Sequence, residues 1–202
     1  MIALARRVLA IPAMFNAYQA AVGANHAKSV FVNEWIRPIQ GDSLLDIGCG
    51  TGAIIPFLPT DTHVTGVDID AAYVATARKS HGKRARFILG DASDPSVDLG
   101  DNYDVAYAFG VLHHIPDMLA SSLISGAIKR LRPGGRFVSI DPTLVLGQGA
   151  VSRYIVKSDR GQHVRSPEQI RAVFGATDPT LTVRTNLLRI PFAQVVAVAI
   201  KG

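Results

Sequence analysis

The sequence predicts an α/β protein with a doubly wound, largely parallel sheet. Three observations carry that reading. From residue 43 onward, short apolar runs of strand length alternate with runs of helical periodicity. Such alternation builds a parallel sheet with helices on both faces. The first apolar run, Ser43 to Ile47, leads straight into the glycine-rich turn Gly48-Cys49-Gly50-Thr51-Gly52. A strand, a glycine turn and a helix in that order form a nucleotide cradle. Two β-rich runs, Leu181 to Ile190 and Phe192 to Ile200, close the chain around Pro191. They are expected to pair as a hairpin and to add an antiparallel strand.

The elements follow in order. Residues 1 to 40 read as a helical extension, with Phe31, Trp35 and Ile36 at helical spacing and Arg37-Pro38 as the stop. Residues 41 to 202 read as the main domain. Its first strand is Ser43 to Ile47, and a short helix from Ala53 to Leu58 ends at Pro59. His63 to Val67 is the second strand, followed by a helix from Ala71 to Ser80 with Asp70 as its N-cap. Ala85 to Leu89 and Tyr103 to Phe109 are strands three and four. A helix from Asp117 to Leu131 is expected to end at Pro133-Gly134-Gly135, before strand five, Arg136 to Ile140. Ser166, Pro167 and Glu168 open the last helix, which runs to Phe174. Between them, Thr143 to Arg165 is polar and holds three glycines. Ligands of open α/β sheets bind beyond the carboxyl ends of the strands, so this segment is a candidate substrate wall.

Composition narrows the function classes. The chain has 202 residues, 48% of them hydrophobic and 18% charged, which suits one domain with a sizeable core. The net charge of +5 is dispersed, with no long basic block. That argues against a nucleic-acid partner and for a small-molecule one, with a mild attraction to anions. No apolar run reaches the ~18 residues of a membrane span, so stable membrane insertion is not expected. Cys49 is the single cysteine, which excludes an internal disulfide and fits a reducing, cytoplasmic setting. Inside its tight turn, Cys49 reads as a small spacer. The first 33 residues contain no Asp or Glu. Their apolar character with a few polar tips fits a lid over a site. A monomer and a homodimer both suit the composition.

The chemistry centres on Asp46. It lies two residues before the first glycine, where a carboxylate suits a cationic ligand better than a pyrophosphate. S-adenosylmethionine carries both an ammonium and a sulfonium. Asp68 follows strand two, 20 residues after Gly48, and is placed to accept from two ribose hydroxyls. Asp91 follows strand three and can accept from an adenine amino group, with the backbone of Ala92 beside it. The run Gly48-x-Gly50-x-x-Ala53 also satisfies the dinucleotide fingerprint. Asp46 argues against that rival, an NAD(P)-dependent oxidoreductase, because it would set negative charge beside a pyrophosphate.

On these residues the chain resembles the class I S-adenosylmethionine-dependent methyltransferases. The likeness spans roughly residues 40 to 200. It rests on Leu44 to Gly52, on Gly66-Val67-Asp68-Ile69, on Gly90-Asp91-Ala92, on Gly110 to Ile115, and on Leu131 to Phe137. It is close to small stand-alone bacterial enzymes that methylate metabolites. The resemblance implies a Rossmann-like, seven-stranded sheet with the last strand antiparallel. It implies that Asp46 and the backbone at Gly48, Cys49 and Gly50 hold the methionine end. Asp68 and Ile69 would hold the ribose, Asp91 and Ala92 the adenine. Phe109 would lie beside the methyl-bearing centre. The product would be S-adenosylhomocysteine.

Methyl transfer needs positioning and exclusion of water above all, and an oxygen acceptor also needs its proton removed. His113 and His114 follow strand four, close to where the methyl is expected. Each is a candidate base or acceptor-orienting group, or else a packed and a capping side chain of an ordinary turn. His163 in the polar segment is the third candidate. Tyr18, Gln19, Arg160 and Arg165 are candidate acceptor contacts, the arginines for an anionic group. Asp141 reads as a loop residue before Pro142 and not as a metal ligand, since a hard-metal site needs several converging oxygens. Strand four is not followed by Asn-Pro-Pro-Tyr, which weighs against methylation of bases or glutamine. Whether O, N or C is methylated stays open. So does a module that binds the cofactor without turnover.

Overall fold

The computed structural model describes residues 21–159 and 161–202. Tyr18, Gln19 and Arg160 lie outside them. The elements are α1 (Ala24–Phe31), β1 (Ser43–Ile47), β2 (His63–Asp68), α2 (Ala71–His81), β3 (Ala85–Leu89) and β4 (Tyr103–Phe109). There follow α3 (Asp117–Lys129), β5 (Leu131–Pro142), α4 (Ala150–Lys157), α5 (Pro167–Phe174), β6 (Thr180–Arg184) and β7 (Gln194–Ile200).

The seven strands form one sheet in the order β3-β2-β1-β4-β5-β7-β6. β1 to β5 pair in parallel, whereas β7 runs antiparallel to both β5 and β6. This is the expected doubly wound sheet with its last strand antiparallel. The chain leaves β1 toward β2 and later returns to its other side as β4. The strand order therefore reverses between β1 and β4, which opens a crevice beyond their carboxyl ends.

Alternation along the strands sorts two cores, one on each face. Leu45, Ile47, Ala106, Ala108 and Phe137 pack under α3 and α5, against Leu123, Ile124, Ile170 and Phe174. Leu44, Val105, Tyr107, Val138 and Ile140 pack on the other face with Phe31, Ile36, Val74 and Ala77. α1 and the π-turn Val32–Ile36 thus belong to the same core as the sheet. Arg136 secures them by donating to the carbonyl oxygens of Ile36 and Arg37.

Several boundaries differ from the sequence reading. β5 begins at Leu131, so Pro133-Gly134-Gly135 lies inside the strand, and a register irregularity beside Tyr103 and Val105 absorbs it. The helix expected over Ala53 to Leu58 shrinks to one 3₁₀ turn, Ile55–Phe57. The β run from Leu181 stops at Arg184, and residues 185 to 193 form an irregular link. The polar segment after β5 contains α4, which the sequence reading left without structure. Both expected caps are present: Asp70 accepts from the amides of Ala72 and Tyr73, and Ser166 forms a capping box with Gln169. Among the described residues no helix is long and apolar enough to cross a membrane.

Gly66 in β2 shows how tight this edge is. A Cβ there would lie 2.9 Å from the Phe87 ring and 3.0 Å from Cys49 Sγ. Gly66→Ala is therefore expected to destabilise the fold by about 1–3 kcal/mol through overpacking. Urea denaturation at constant slope checks it.

Candidate active site

A cavity of about 560 Å³ occupies the crevice over the carboxyl edge of the sheet. Its floor is a row of strand ends. Asp46 and the glycine turn close β1, Asp68 and Ile69 follow β2, Gly90, Asp91 and Ala92 follow β3, and Phe109 and Gly110 end β4. All the residues expected to hold the cofactor line this one cavity: Asp46, Gly48, Cys49, Gly50, Asp68, Ile69, Asp91, Ala92 and Phe109. Successive strands lie ~4.8 Å apart, so the row presents its carboxylates in sequence along an extended ligand.

The turn after β1 exists because three of its residues are glycine. Gly48, Gly50 and Gly52 have φ of +67°, +53° and +76°, a region that side chains with a Cβ rarely enter. Asp68 holds the turn from the side. Its Oδ2 accepts from the Gly50 amide at 2.8 Å and its Oδ1 from the Asp70 amide at 2.9 Å. Asp91 is exposed and accepts from both the amide and the hydroxyl of Ser93.

Asp46 is the unusual member. It is 2% exposed, and its Oδ2 has no hydrogen-bond partner among the described residues. Its neighbour across the β1–β4 pair is Tyr107, whose buried hydroxyl likewise has no partner in hydrogen-bond geometry. Burial raises the Asp46 carboxyl from an ordinary 3.8 to about 7. The nearby Tyr107 hydroxyl works against that rise, and the charge of Asp68 adds to it. A desolvated carboxylate with an open lone pair facing a cavity is fitted to a cation, and an ammonium satisfies it in charge and in hydrogen bonding. A pyrophosphate does neither.

The family profile described as "Methyltransferase domain" matches residues 44–135, the stretch that carries this row. Over that stretch the chain is similar to the methyltransferase-domain family. Its similarity to the 27-O-demethylrifamycin SV methyltransferase of Amycolatopsis mediterranei is 35% identity over 170 residues, 70% of this chain and 60% of that one. A ubiquinone biosynthesis O-methyltransferase of Mesorhizobium japonicum is 28% identical over 78% of this chain and 68% of its own. Among solved structures, a pyocyanin biosynthetic protein superposes with a TM-score of 0.72 at 16% identity, over 92% of this chain and 57% of that chain. The magnesium protoporphyrin IX methyltransferase of Synechocystis superposes with a TM-score of 0.65 at 21% identity, over 88% and 83%. The chain spans 40% to 68% of the length of the curated relatives it matches.

Around this cavity the histidines and arginines take places the sequence did not reveal. His113 sits in the 3₁₀ turn after β4, 5% exposed, between two carboxylates. Its Nδ1 lies 2.9 Å from Asp141 Oδ1 and its Nε2 3.1 Å from Asp159 Oδ1. Burial pushes its pKa down, but the hydrogen bonds and charges of Asp141 and Asp159 outweigh that and bring it to about 9. At neutral pH His113 is therefore a cation with both nitrogens engaged, which suits holding a wall in place and not accepting a proton. Asp141 is correspondingly not a loop residue. It lies in β5, 1% exposed, and also accepts from the His113 amide at 3.1 Å.

Asp159 and the stretch from Gly161 to Arg165 strap onto the same turn. Gly161 packs against the His113 ring so closely that a Cβ there would lie 2.0 Å from its Cδ2. The His163 amide donates to the His113 carbonyl oxygen. Arg165 was expected to bind an anionic acceptor, but its guanidinium is already committed. It is 3% exposed and donates to the carbonyl oxygens of Leu112 and Ile115 and to Asp117 Oδ1. Neither His163 nor Arg165 is among the residues lining the cavity, whereas His113, His114 and Asp159 are. The His114 ring stacks on His113 with centroids 4.0 Å apart.

Sequence reasoning missed the far wall. Val22, Ala24 and Lys28 line it from the N-terminal helix, Leu188, Ile190 and Phe192 from the link before β7, and Gln194 from the start of β7. The two sides are tied where the Arg189 amide donates to the Val22 carbonyl oxygen at 2.9 Å. The helical spacing of Ala24, Lys28 and Phe31 was the available signal for one side. The link has none, being irregular.

Two linkage effects follow. Asp46 keeps its proton up to about pH 7 when folded against 3.8 unfolded. Its favourable contribution is complete below 3.8 and lost as pH rises through 7. Asp46→Asn is expected to stabilise the ligand-free protein at pH 8 by about 1–3 kcal/mol while weakening S-adenosylhomocysteine binding, measured by thermal melts and calorimetry. His113 has the contrary sign for its charge but the same direction with pH. Its contribution is complete below 6.5 and lost as pH rises through about 9. Stability should fall between pH 6.5 and 9, and His113→Asn should be less stable and flatter across that window.

Proposed function

We propose that the chain is an S-adenosylmethionine-dependent O-methyltransferase acting on a small-molecule acceptor. The observation that carries this reading is the row of Asp46, Asp68 and Asp91 at the ends of adjacent strands, with the Asp46 carboxylate desolvated and unpartnered. The row supports the ammonium at β1, the ribose hydroxyls at β2 and the adenine at β3. When bound, the cofactor supplies an electrophilic methyl group on a sulfonium. The chain's own part is to bind, orient and exclude water. Asp46 and the amides of the glycine turn fix the methionine end. Asp68 keeps the turn in shape and retains lone pairs for the ribose. Phe109 walls the reacting end, and the charged His113 holds the strap of Asp159 and Gly161 against it.

The acceptor reading follows from the rest of the cavity. Beyond β4 its lining is mostly apolar: Val22, Ala24, Leu188, Ile190 and Phe192. That supports a compact apolar acceptor. The curated relatives named as O-methyltransferases support oxygen as the methylated atom. Val22, Ala24 and Lys28, in the described part of the N-terminal extension, wall this end of the cavity in this reading.

Calorimetry with S-adenosylhomocysteine and with NAD tests the cofactor, and an isotope-labelled methyl donor with a panel of small hydroxyl compounds tests the reaction. The expected result is binding of S-adenosylhomocysteine but not NAD, and label in an ether product. Preference for NAD, or binding without transfer to any acceptor, overturns the reading. Asp68→Ala should weaken S-adenosylhomocysteine at least about tenfold, since it removes hydrogen bonds to a charged acceptor worth ~1.5–3 kcal/mol each. It should also lower the melting temperature, because the Gly50 and Asp70 amides lose their partner.

A further inference from the structure

We infer that Lys28 binds the acceptor's hydroxyl oxygen as its anion, which makes the acceptor class an apolar molecule with an acidic hydroxyl, a phenol or an enol. The inference rests on the methyltransferase reading above and names the substrate class of that site.

Position comes first. The cofactor row runs from β3 through β2 to β1, so the remaining cavity lies over β4, β5 and β7. There Phe109 ends β4, Pro142 ends β5 and Gln194 opens the antiparallel β7 directly opposite Pro142. α1 packs over the same end. Phe31 meets the Phe109 ring edge-on at a centroid distance of 5.3 Å. Lys28 lies one helical turn before Phe31, on the same face as Ala24, and both Ala24 and Lys28 line the cavity.

The state of the side chain comes second. Lys28 is only 6% exposed, yet its ammonium makes no ion pair or hydrogen bond among the described residues. Lysines are almost never buried without a partner, and an unpartnered ammonium in an apolar wall is costly. Gln194 repeats the pattern on the opposite side: it is 6% exposed, and its buried Oε1 has no partner. Two buried polar groups set among Val22, Ala24, Leu188, Ile190 and Phe192 in the cavity lining are groups awaiting a ligand. One cation in an apolar wall matches one anionic oxygen on an apolar body. A carboxylate or phosphate would call for several donors, and Arg165 is already committed elsewhere.

Burial also lowers the Lys28 pKa from its ordinary value, which shifts the balance toward the form with a free lone pair on Nζ. The step balances as follows. The acceptor's hydroxyl proton passes to the neutral Nζ, and the electron pair of the O–H bond stays on oxygen. That oxygen forms the bond to the methyl carbon as the carbon–sulfur bond breaks, and its electron pair goes to sulfur. The Lys28 ammonium then returns its proton to solvent.

The test uses p-nitrophenol, whose absorbance separates phenol from phenolate, and p-nitroanisole, in which the oxygen is blocked. Wild-type protein should bind p-nitrophenol with more phenolate than free solution shows at the same pH. Lys28→Met should abolish that excess and weaken p-nitrophenol about tenfold or more, with p-nitroanisole unchanged. Lys28→Arg should keep the phenolate excess. A folded Lys28→Met that retains the excess, an equal loss for p-nitroanisole, or no binding of p-nitrophenol to wild type overturns the inference. S-adenosylhomocysteine affinity, measured alongside, should be the same in wild type and Lys28→Met. Its absence in wild type would sink the methyltransferase reading separately, since the phenolate signal does not depend on the cofactor.

Discussion

The burial of one carboxylate organises this molecule. Asp46 closes the central strand β1 at the point where the strand order reverses, with Leu45 and Ile47 beside it facing the opposite core. Strand alternation turns its side chain to the face of Leu44 and Tyr107, where water is excluded. The carboxyl is held near the edge of ionisation. A folded chain would gain stability by placing a small apolar residue there. Retaining the acid instead stores an unmet demand for positive charge in the crevice. A cationic ligand meets that demand, so part of its binding free energy comes from relieving the protein.

The glycine turn and Asp68 make that carboxylate reachable. Three residues of positive φ fold the chain away from the strand end, so that backbone amides rather than side chains face the ligand. Such a turn is floppy in isolation. Asp68 anchors it by accepting from the Gly50 amide, and Gly66 with Cys49 leaves no slack behind it. The same side chain that shapes the turn lies where the ribose is expected, which couples the loop's conformation to the ligand.

The opposite wall is built from charge. The turn after β4 is fastened by an imidazolium between Asp141 and Asp159, by Gly161 against its ring and by a buried guanidinium on the Leu112 and Ile115 carbonyls. The hydrogen bonds of Asp141 and Asp159 raise the His113 pKa in spite of burial. The strap after α4 is thereby fixed to the turn beside Phe109. Arg165, which resembles an anion contact in the sequence, serves as one of its fastenings.

The sequence by itself determined the sheet, its antiparallel last strand and the row of strand-end residues that line the crevice. Those features are local: a strand end, a glycine turn and an acid at each following strand end lie on one edge because parallel strands all point the same way. The tertiary structure alone decided the roles of His113, Asp141, Asp159 and Arg165, which meet across long stretches of chain. It alone brought Lys28, Leu188, Ile190, Phe192 and Gln194 into one wall. It also kept Pro133-Gly134-Gly135 within β5, as an irregularity between Leu131 and Arg136, which pair with β4 on either side of it. The division has one physical cause. Backbone pattern is written in neighbouring residues, whereas burial and charge pairing depend on which distant side chains the packed cores bring together.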